Sequence, residues 1–310
     1  MISTAASLAP PAGRCRNGWP RLGWAEGLRP ILRWLPAALI LLAAPAAVAA
    51  PQRVVSMNLC TDQLAMLLAA PDQLVAISRL TRDPRMSPLA ERAQALPLHH
   101  SSAEEIHLLR PDLVIAGQFT PGPVLEMLRR LGHRVEARPP ANSIADIRTE
   151  ITAMGNLLGR EAQAAALLAD FDRQLAELRD GRDRGRAALY YANGFTSGRE
   201  TLAGDILAAA GYRNIADDFG ITGTAALPVE QLVLAGPELL VTGATWPGHS
   251  RSEAILDHPA LAHAVPRHVE VADRDWVCGT PFVLRAIRAL QAPDAAQLTP
   301  PRPEPPRSAR

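Results

Sequence analysis

The sequence predicts an α/β fold of two Rossmann-like lobes with mostly parallel sheets, joined by a long interdomain helix. Three observations carry this. From Arg53 onward, short apolar runs alternate with helical patterns, as in a mostly parallel sheet covered by helices. Between Ser143 and Asp180 the alternation stops and one apolar stripe runs at helical spacing. A helix-turn-strand unit also occurs twice, at residues 104–117 and 230–243, each with a short helix, a Pro-acid turn and a buried strand ending in glycine.

Taken in order, residues 53–57 read as a strand, 62–70 as a helix and 74–77 as a strand. A helix at 103–109, a strand at 113–116, a helix at 124–131 and a strand at Val135 continue the pattern. The central stretch lines up Ile144, Ile147, Ile151, Met154 and Leu158, then Ala164, Leu168, Phe171, Leu175 and Leu178. Ser143 followed by Asp146 gives a start resembling a capping box, and Gly159 marks a bend or break. After the charged run 179–186, a strand at 187–191, a helix at 201–210, strands at 239–242 and near Val269, and a helix at 282–290 complete the pattern. A looser echo sets Asn58, after the first strand, beside Asn193, after the first strand of the later half.

The first fifty residues read as an export segment. Arg29 and Arg33 precede an apolar run over 34–50, and Val48-Ala49-Ala50 offers small residues for cleavage. Pro36 and Pro45 interrupt the run, which is shorter than the roughly 20 apolar residues of a membrane span. The expected organisation is a signal peptide at 1–50, a first lobe at 51–141, a linker helix at 142–181, a second lobe at 182–291 and a disordered Pro-rich tail at 292–310. A net charge of +1, with no cluster of basic side chains in the body of the chain, excludes nucleic acid as a partner. Only Cys60 and Cys278 lie beyond the export segment, too few to build a disulfide scaffold.

At this point the chain resembles the helical-backbone (class III) periplasmic substrate-binding proteins, which deliver cobalamin, ferric siderophores or haem to ABC importers. The resemblance rests on Arg53-Val54-Val55-Ser56-Met57-Asn58, on Ser102-Ala103-Glu104-Glu105-Ile106 with Arg110-Pro111-Asp112-Leu113-Val114, on Gly155-Asn156-Leu157-Leu158-Gly159-Arg160-Glu161, and on Trp276 with Pro281. It spans residues 53–290, and the order and spacing of the motifs are more specific than any one of them. It implies a bilobal, monomeric periplasmic protein with a ligand held between lobes, limited hinge motion and no cofactor. Its partners would be a metal chelate or corrinoid and an ABC importer permease. One exposed glutamate per lobe docks on the permease in this family, which points to Glu104 and Glu230, the residues the repeat also pairs.

Loops after parallel strands are where such sheets hold ligands. In the first lobe these loops carry Asn58, Cys60 and Thr61, then Arg79 and Arg82, then Gln118 and Phe119. In the second they carry Asn193 and Phe195, then Trp246, with Trp276 and Cys278 near the last crossing. Polar donors among a few aromatics suit a large planar or macrocyclic ligand, and the arginines suit an anionic group on it. Cys60 and Cys278 fall one in each lobe, and could face one another, form a disulfide, ligate a metal softly or remain small buried thiols.

Two other functions are weighed against capture. A zinc or manganese receptor needs about three histidines and a carboxylate converging on one site, whereas His249, His258, His263 and His268 are scattered. A thiol-dependent hydrolase would use Cys60 or Cys278 as nucleophile. The chain has no G-x-S-x-G elbow, Walker A loop or G-x-G-x-x-G after a strand, so no enzyme activity is expected.

Overall fold

The computed structural model describes residues 49–292, apart from 245–247 and 249. All but the last two residues of the expected export segment fall outside the described residues, as do Trp246 and the expected tail after Ala292.

β1 (Val54–Ser56) is buried on both faces, with Val54 in one apolar cluster and Val55 in another, since successive strand side chains point opposite ways. It pairs in parallel with β2 (Leu74–Ser78) and β4 (Leu113–Gly117). β3 (Leu98–His99) and β5 (Val135–Arg138) extend the sheet to the order β3-β2-β1-β4-β5. Every pairing is parallel, so all carboxyl ends share one edge. The chain returns through α1 (Leu59–Leu68), α2 (Ala90–Ala93), α3 (Ala103–Leu108) and α4 (Gly122–Arg130). The strand order reverses between β1 and β4, the switch point at which such sheets open a crevice.

The second lobe repeats the plan. β6 (Arg186–Leu189), β8 (Arg213–Asn214), β10 (Leu239–Gly243) and β11 (Arg267–Val271) form a parallel sheet of order β11-β10-β6-β8. Around it lie α7 (Leu202–Ala209), α8 (Val229–Ala235), α9 (Pro259–Ala264) and α10 (Val283–Gln291). An antiparallel ribbon of β7 (Phe195–Ser197) and β9 (Thr224–Ala226) was not expected from sequence.

The repeated unit is α3–β4 in one lobe and α8–β10 in the other, and its acidic turn residue has a structural task. Asp112 accepts the backbone N–H groups of Gln52 and Arg53 at 2.7 and 3.0 Å, fixing the entry to β1. Glu238 accepts the N–H of Arg186 at 3.4 Å, at the entry to β6. In both lobes an acid beside the second central strand anchors the first.

The linker stretch forms two helices, α5 (Ile144–Leu158) and α6 (Glu161–Leu178), packed on one another, so the bend or break expected at Gly159 is a break. The break is Gly159, at φ 66° in the left-handed region that a side chain disfavours. Arg160 N–H donates to Gly155 O at 2.7 Å and Gly159 N–H to Asn156 O at 3.3 Å, the bonds of a Schellman stop. At the other end, Ser143 caps α5 through its hydroxyl, which accepts the Asp146 N–H at 3.0 Å. Met154, Leu158, Phe171 and Leu175 of this pair belong to one apolar cluster with Leu64 and Leu68 of α1 and with Ile206 and Leu290 of the second lobe. The lobes therefore share a continuous core through the linker.

Candidate ligand cleft

Asn58 stands two residues after the end of β1 and caps α1, its Oδ1 accepting the Cys60 N–H at 3.0 Å. That position requires a glycine at the end of β4, because a Cβ on Gly117 would lie 2.9 Å from Asn58 Nδ2. The next residue, Gln118, donates its N–H to Arg138 O at 2.8 Å and so ties the β4 and β5 ends together. Arg138 makes a two-pronged pair with Glu150 of α5, Nε to Oε2 at 2.9 Å and Nη2 to Oε1 at 2.7 Å. Glu150 is 5% exposed, so this pair fixes the edge of the first sheet to the linker. These side chains, with Cys60, Thr61 and the exposed ring of Phe119, wall a cavity of about 190 Å³ that Val277 and Gly279 of the second lobe close. A larger cavity of about 280 Å³, lined by Arg179, Arg182 and Gly211, lies beside the entries to β6 and β8, away from the carboxyl edges.

Links cross the cleft among the described residues. Cys60 and Cys278 form a disulfide. Arg274 Nη1 donates to Pro84 O at 3.2 Å, and Thr280 Oγ1 to Gln63 Oε1 at 3.4 Å. Of the roles left open for the cysteines, the disulfide is the one adopted, so neither sulfur is a thiol available for metal ligation or nucleophilic attack.

The remaining expected residues are placed as follows. Thr61 reaches the cavity wall, but its hydroxyl is engaged with Asn58 O at 2.9 Å and Ser56 Oγ at 2.8 Å. Trp276 is buried in the core, edge-on to Tyr191 at 6.0 Å, and does not wall the cavity. Arg79 is exposed on the short turn after β2, outside the cavity, while Arg82 spends its guanidinium on the carbonyls of Ala93, Gln94 and Leu96. Asn193 is exposed, with its N–H on Ser252 O at 2.6 Å, and Phe195 is 41% exposed on β7; neither reaches the cavity. Arg138 and Glu150 are the charged wall residues that the sequence did not single out. Their only sequence signal is a lone arginine ending a strand and a glutamate on the apolar side of a helix.

Beneath the first-lobe edge lies a buried polar cluster that was also not foreseen. Asp62 of α1 is fully buried, and its Oδ2 accepts from Ser78 N at 3.0 Å, Ser78 Oγ at 2.5 Å and Thr81 Oγ1 at 2.6 Å, while Oδ1 has no partner among the described residues. Burial pushes its pKa up to about 7, against the opposing pull of the Ser56, Ser78 and Thr81 hydroxyls. His99 is buried beside β1, its Nδ1 accepting from Ser101 N–H at 3.0 Å, which leaves the proton on Nε2 to donate to Ser56 O at 2.7 Å. Burial holds this imidazole below its ordinary pKa. Among the described residues no three His, Cys, Asp or Glu side chains are grouped as a metal site.

Glu104 and Glu230 are each the second residue of their helix, and both are exposed. Neither makes an ion pair or side-chain hydrogen bond among the described residues, whereas the adjacent Glu105 binds the N–H and ring of His100 at 2.7 and 2.9 Å.

Two parallel α/β lobes whose carboxyl edges meet over a shared cavity, with a helical linker that carries a common core, define a class of two-lobed solute binders. The periplasmic binding protein family model matches residues 54–265, and the chain belongs to that family. It is 31% identical over 200 residues to the cobalamin-binding protein of Halobacterium salinarum, covering 62% of this chain and 54% of that relative, so it spans about half the relative's length. It is 26% identical over 254 residues to the vitamin B12-binding protein of Pectobacterium carotovorum subsp. carotovorum, covering 79% of this chain and 89% of that one. Among solved structures, the periplasmic heme-binding protein RhuT of Roseiflexus sp. RS-1 in apo form matches with a TM-score of 0.64 at 24% identity, covering 79% of this chain and 99% of the other. At that identity the likeness is one of fold.

Proposed function

We propose that this chain is an exported solute-binding protein that captures a large metal chelate between its lobes and hands it to an inner-membrane ABC importer without a chemical step. A corrinoid comes first, ahead of haem and ferric siderophores, because both curated relatives above are cobalamin or B12 binders. The observation that carries the reading is the cavity at the first-lobe switch point, walled by both lobes and rimmed by an exposed aromatic ring. At about 190 Å³ it takes one edge or side group of such a ligand, and the rest lies against the open rim where Phe119 stands. Glu104 and Glu230 are read as the docking carboxylates, supported by their exposure, their lack of partners among the described residues and their matched places in the repeat.

The deciding experiment titrates the purified mature protein with cyanocobalamin, haem and a panel of ferric siderophores while following tryptophan fluorescence. Saturable one-to-one quenching by cyanocobalamin is expected. Quenching by none of them, alongside stoichiometric zinc uptake, would replace this reading with a metal-ion receptor.

A further inference from the structure

The two docking helices carry a second matched pair of side chains. Leu108 is 78% exposed and Leu234 is 87% exposed, more than any other large aliphatic side chain among the described residues. Each lies four residues after the glutamate on its helix, at the same position of the repeated unit. A spacing of four sets Leu108 one turn from Glu104 on one helix face, and Leu234 one turn from Glu230. The core-facing positions of these helices are filled by Ile106 and Leu232, both 0% exposed, so neither exposed leucine is part of the apolar stripe that packs on the sheet. One leucine on a surface needs no explanation, but the same exposed Glu-Leu pair on both lobes does.

We propose that Leu108 and Leu234 are apolar anchors that enter two equivalent sockets on the importer, each beside the basic pocket that takes the neighbouring glutamate. This rests on the docking reading of Glu104 and Glu230. One chain presenting one motif twice calls for a partner presenting one receptor twice, which a membrane subunit present in two copies supplies. A second copy of this chain offering the same faces would set carboxylate against carboxylate, so charge favours a partner with cations around an apolar socket. The glutamates give orientation and encounter rate. The leucines, once desolvated, give residence time.

The test places a photo-crosslinking amino acid at position 108 or 234 of the full-length protein, expressed in its own source organism. Both positions are expected to capture the same membrane-embedded importer subunit. In proteoliposomes holding that subunit's importer, Leu108→Ser with Leu234→Ser is expected to weaken docking about tenfold per leucine, with ligand affinity and melting temperature unchanged. Crosslinks to another copy of this chain, to two unrelated proteins or to nothing would overturn the anchor proposal. In those cases Glu104→Ala with Glu230→Ala, read by uptake, tests the docking reading separately: lost uptake keeps the carboxylates as the docking contact, and normal uptake removes it too.

Discussion

Cys60 and Cys278, 218 residues apart in sequence, are joined by a disulfide that ties the first turn of α1 to the loop after β11. The bond crosses between lobes at the cavity wall, and the shared core of α5 and α6 forms a second tether. Two tethers leave the cleft tilting and side-chain movement and oppose wide opening about a free hinge.

Replacing both cysteines by serine is expected to lower stability by about 2–5 kcal/mol, because a long loop closed by the bond is released in the unfolded chain. For a domain of this size that corresponds to a fall in melting temperature of roughly 5–15 °C by calorimetry. The same variant is expected to bind and release ligand faster than the oxidised protein in stopped-flow fluorescence. Equal rates in the two proteins would show that the disulfide is a staple with no hold on the cleft.

Asp62 predicts an unusual pH dependence. Its native pKa of about 7 stands above the ordinary 3.8, so between those values the folded state binds a proton that the unfolded chain has released. Its contribution is therefore fully present below pH 4 and is lost as pH rises toward 7. Asp62→Asn keeps the shape and removes the charge, so the variant is expected to gain on the parent as pH rises from 4 to 8, by on the order of 2–4 kcal/mol in urea unfolding. A stability difference that stays flat with pH would place the Asp62 pKa near its ordinary value.

The main sheets and most helices were legible because a strand buried on both faces, such as Leu113–Gly117, is a continuous apolar run and its covering helices keep three-and-four spacing. The repeat was legible too, since its Pro-acid turn has the same anchoring task in each lobe. The ribbon of Phe195–Ser197 with Thr224–Ala226 was not, because two three-residue strands of mostly small side chains carry no periodic signal. Asp62 reads locally as an ordinary first-turn acid, and the hydroxyls that bury it arrive 16 and 19 residues later from another strand end. The cysteine pairing was open for the same reason: only the packing of both lobes on the linker brings the two loops together. Trp276 was misplaced because a rare aromatic after a strand fits the cleft edge and the core equally well in sequence, and Tyr191 decides for the core.

Gly117 predicts a local effect at the switch point. An alanine there would set its Cβ 2.9–3.0 Å from the Asn58 amide, so the amide has to swing away. Losing the cap on α1 costs about 1 kcal/mol, and the displaced amide narrows the cavity. Gly117→Ala is therefore expected to lose more ligand affinity than Asn58→Ala at similar stability, measured by fluorescence titration and thermal melting of both. The opposite ranking would mean that the Asn58 amide itself contacts ligand.

Arg138 and Glu150 give the sharpest separation of structure from binding at the cleft wall. Glu150→Ala leaves the half-buried guanidinium of Arg138 without its two acceptors, and Arg138→Ala leaves a 5% exposed carboxylate without its two donors. The second is the worse outcome, because a more deeply buried charge is stranded, so Arg138→Ala is expected to destabilise by about 2–4 kcal/mol and Glu150→Ala by about 1–2. Removing both is expected to cost less than the sum, with a coupling of about 1–2 kcal/mol in a double-mutant cycle. Ligand affinity then tells the roles apart. If Arg138 faces an acidic or amide group of the ligand, Glu150→Gln weakens binding only slightly, since the neutral amide still holds the guanidinium at the wall, while Arg138→Ala and Arg138→Gln both weaken it at least tenfold. Affinity that follows stability alone across these variants would confine the pair to holding β5 on the linker.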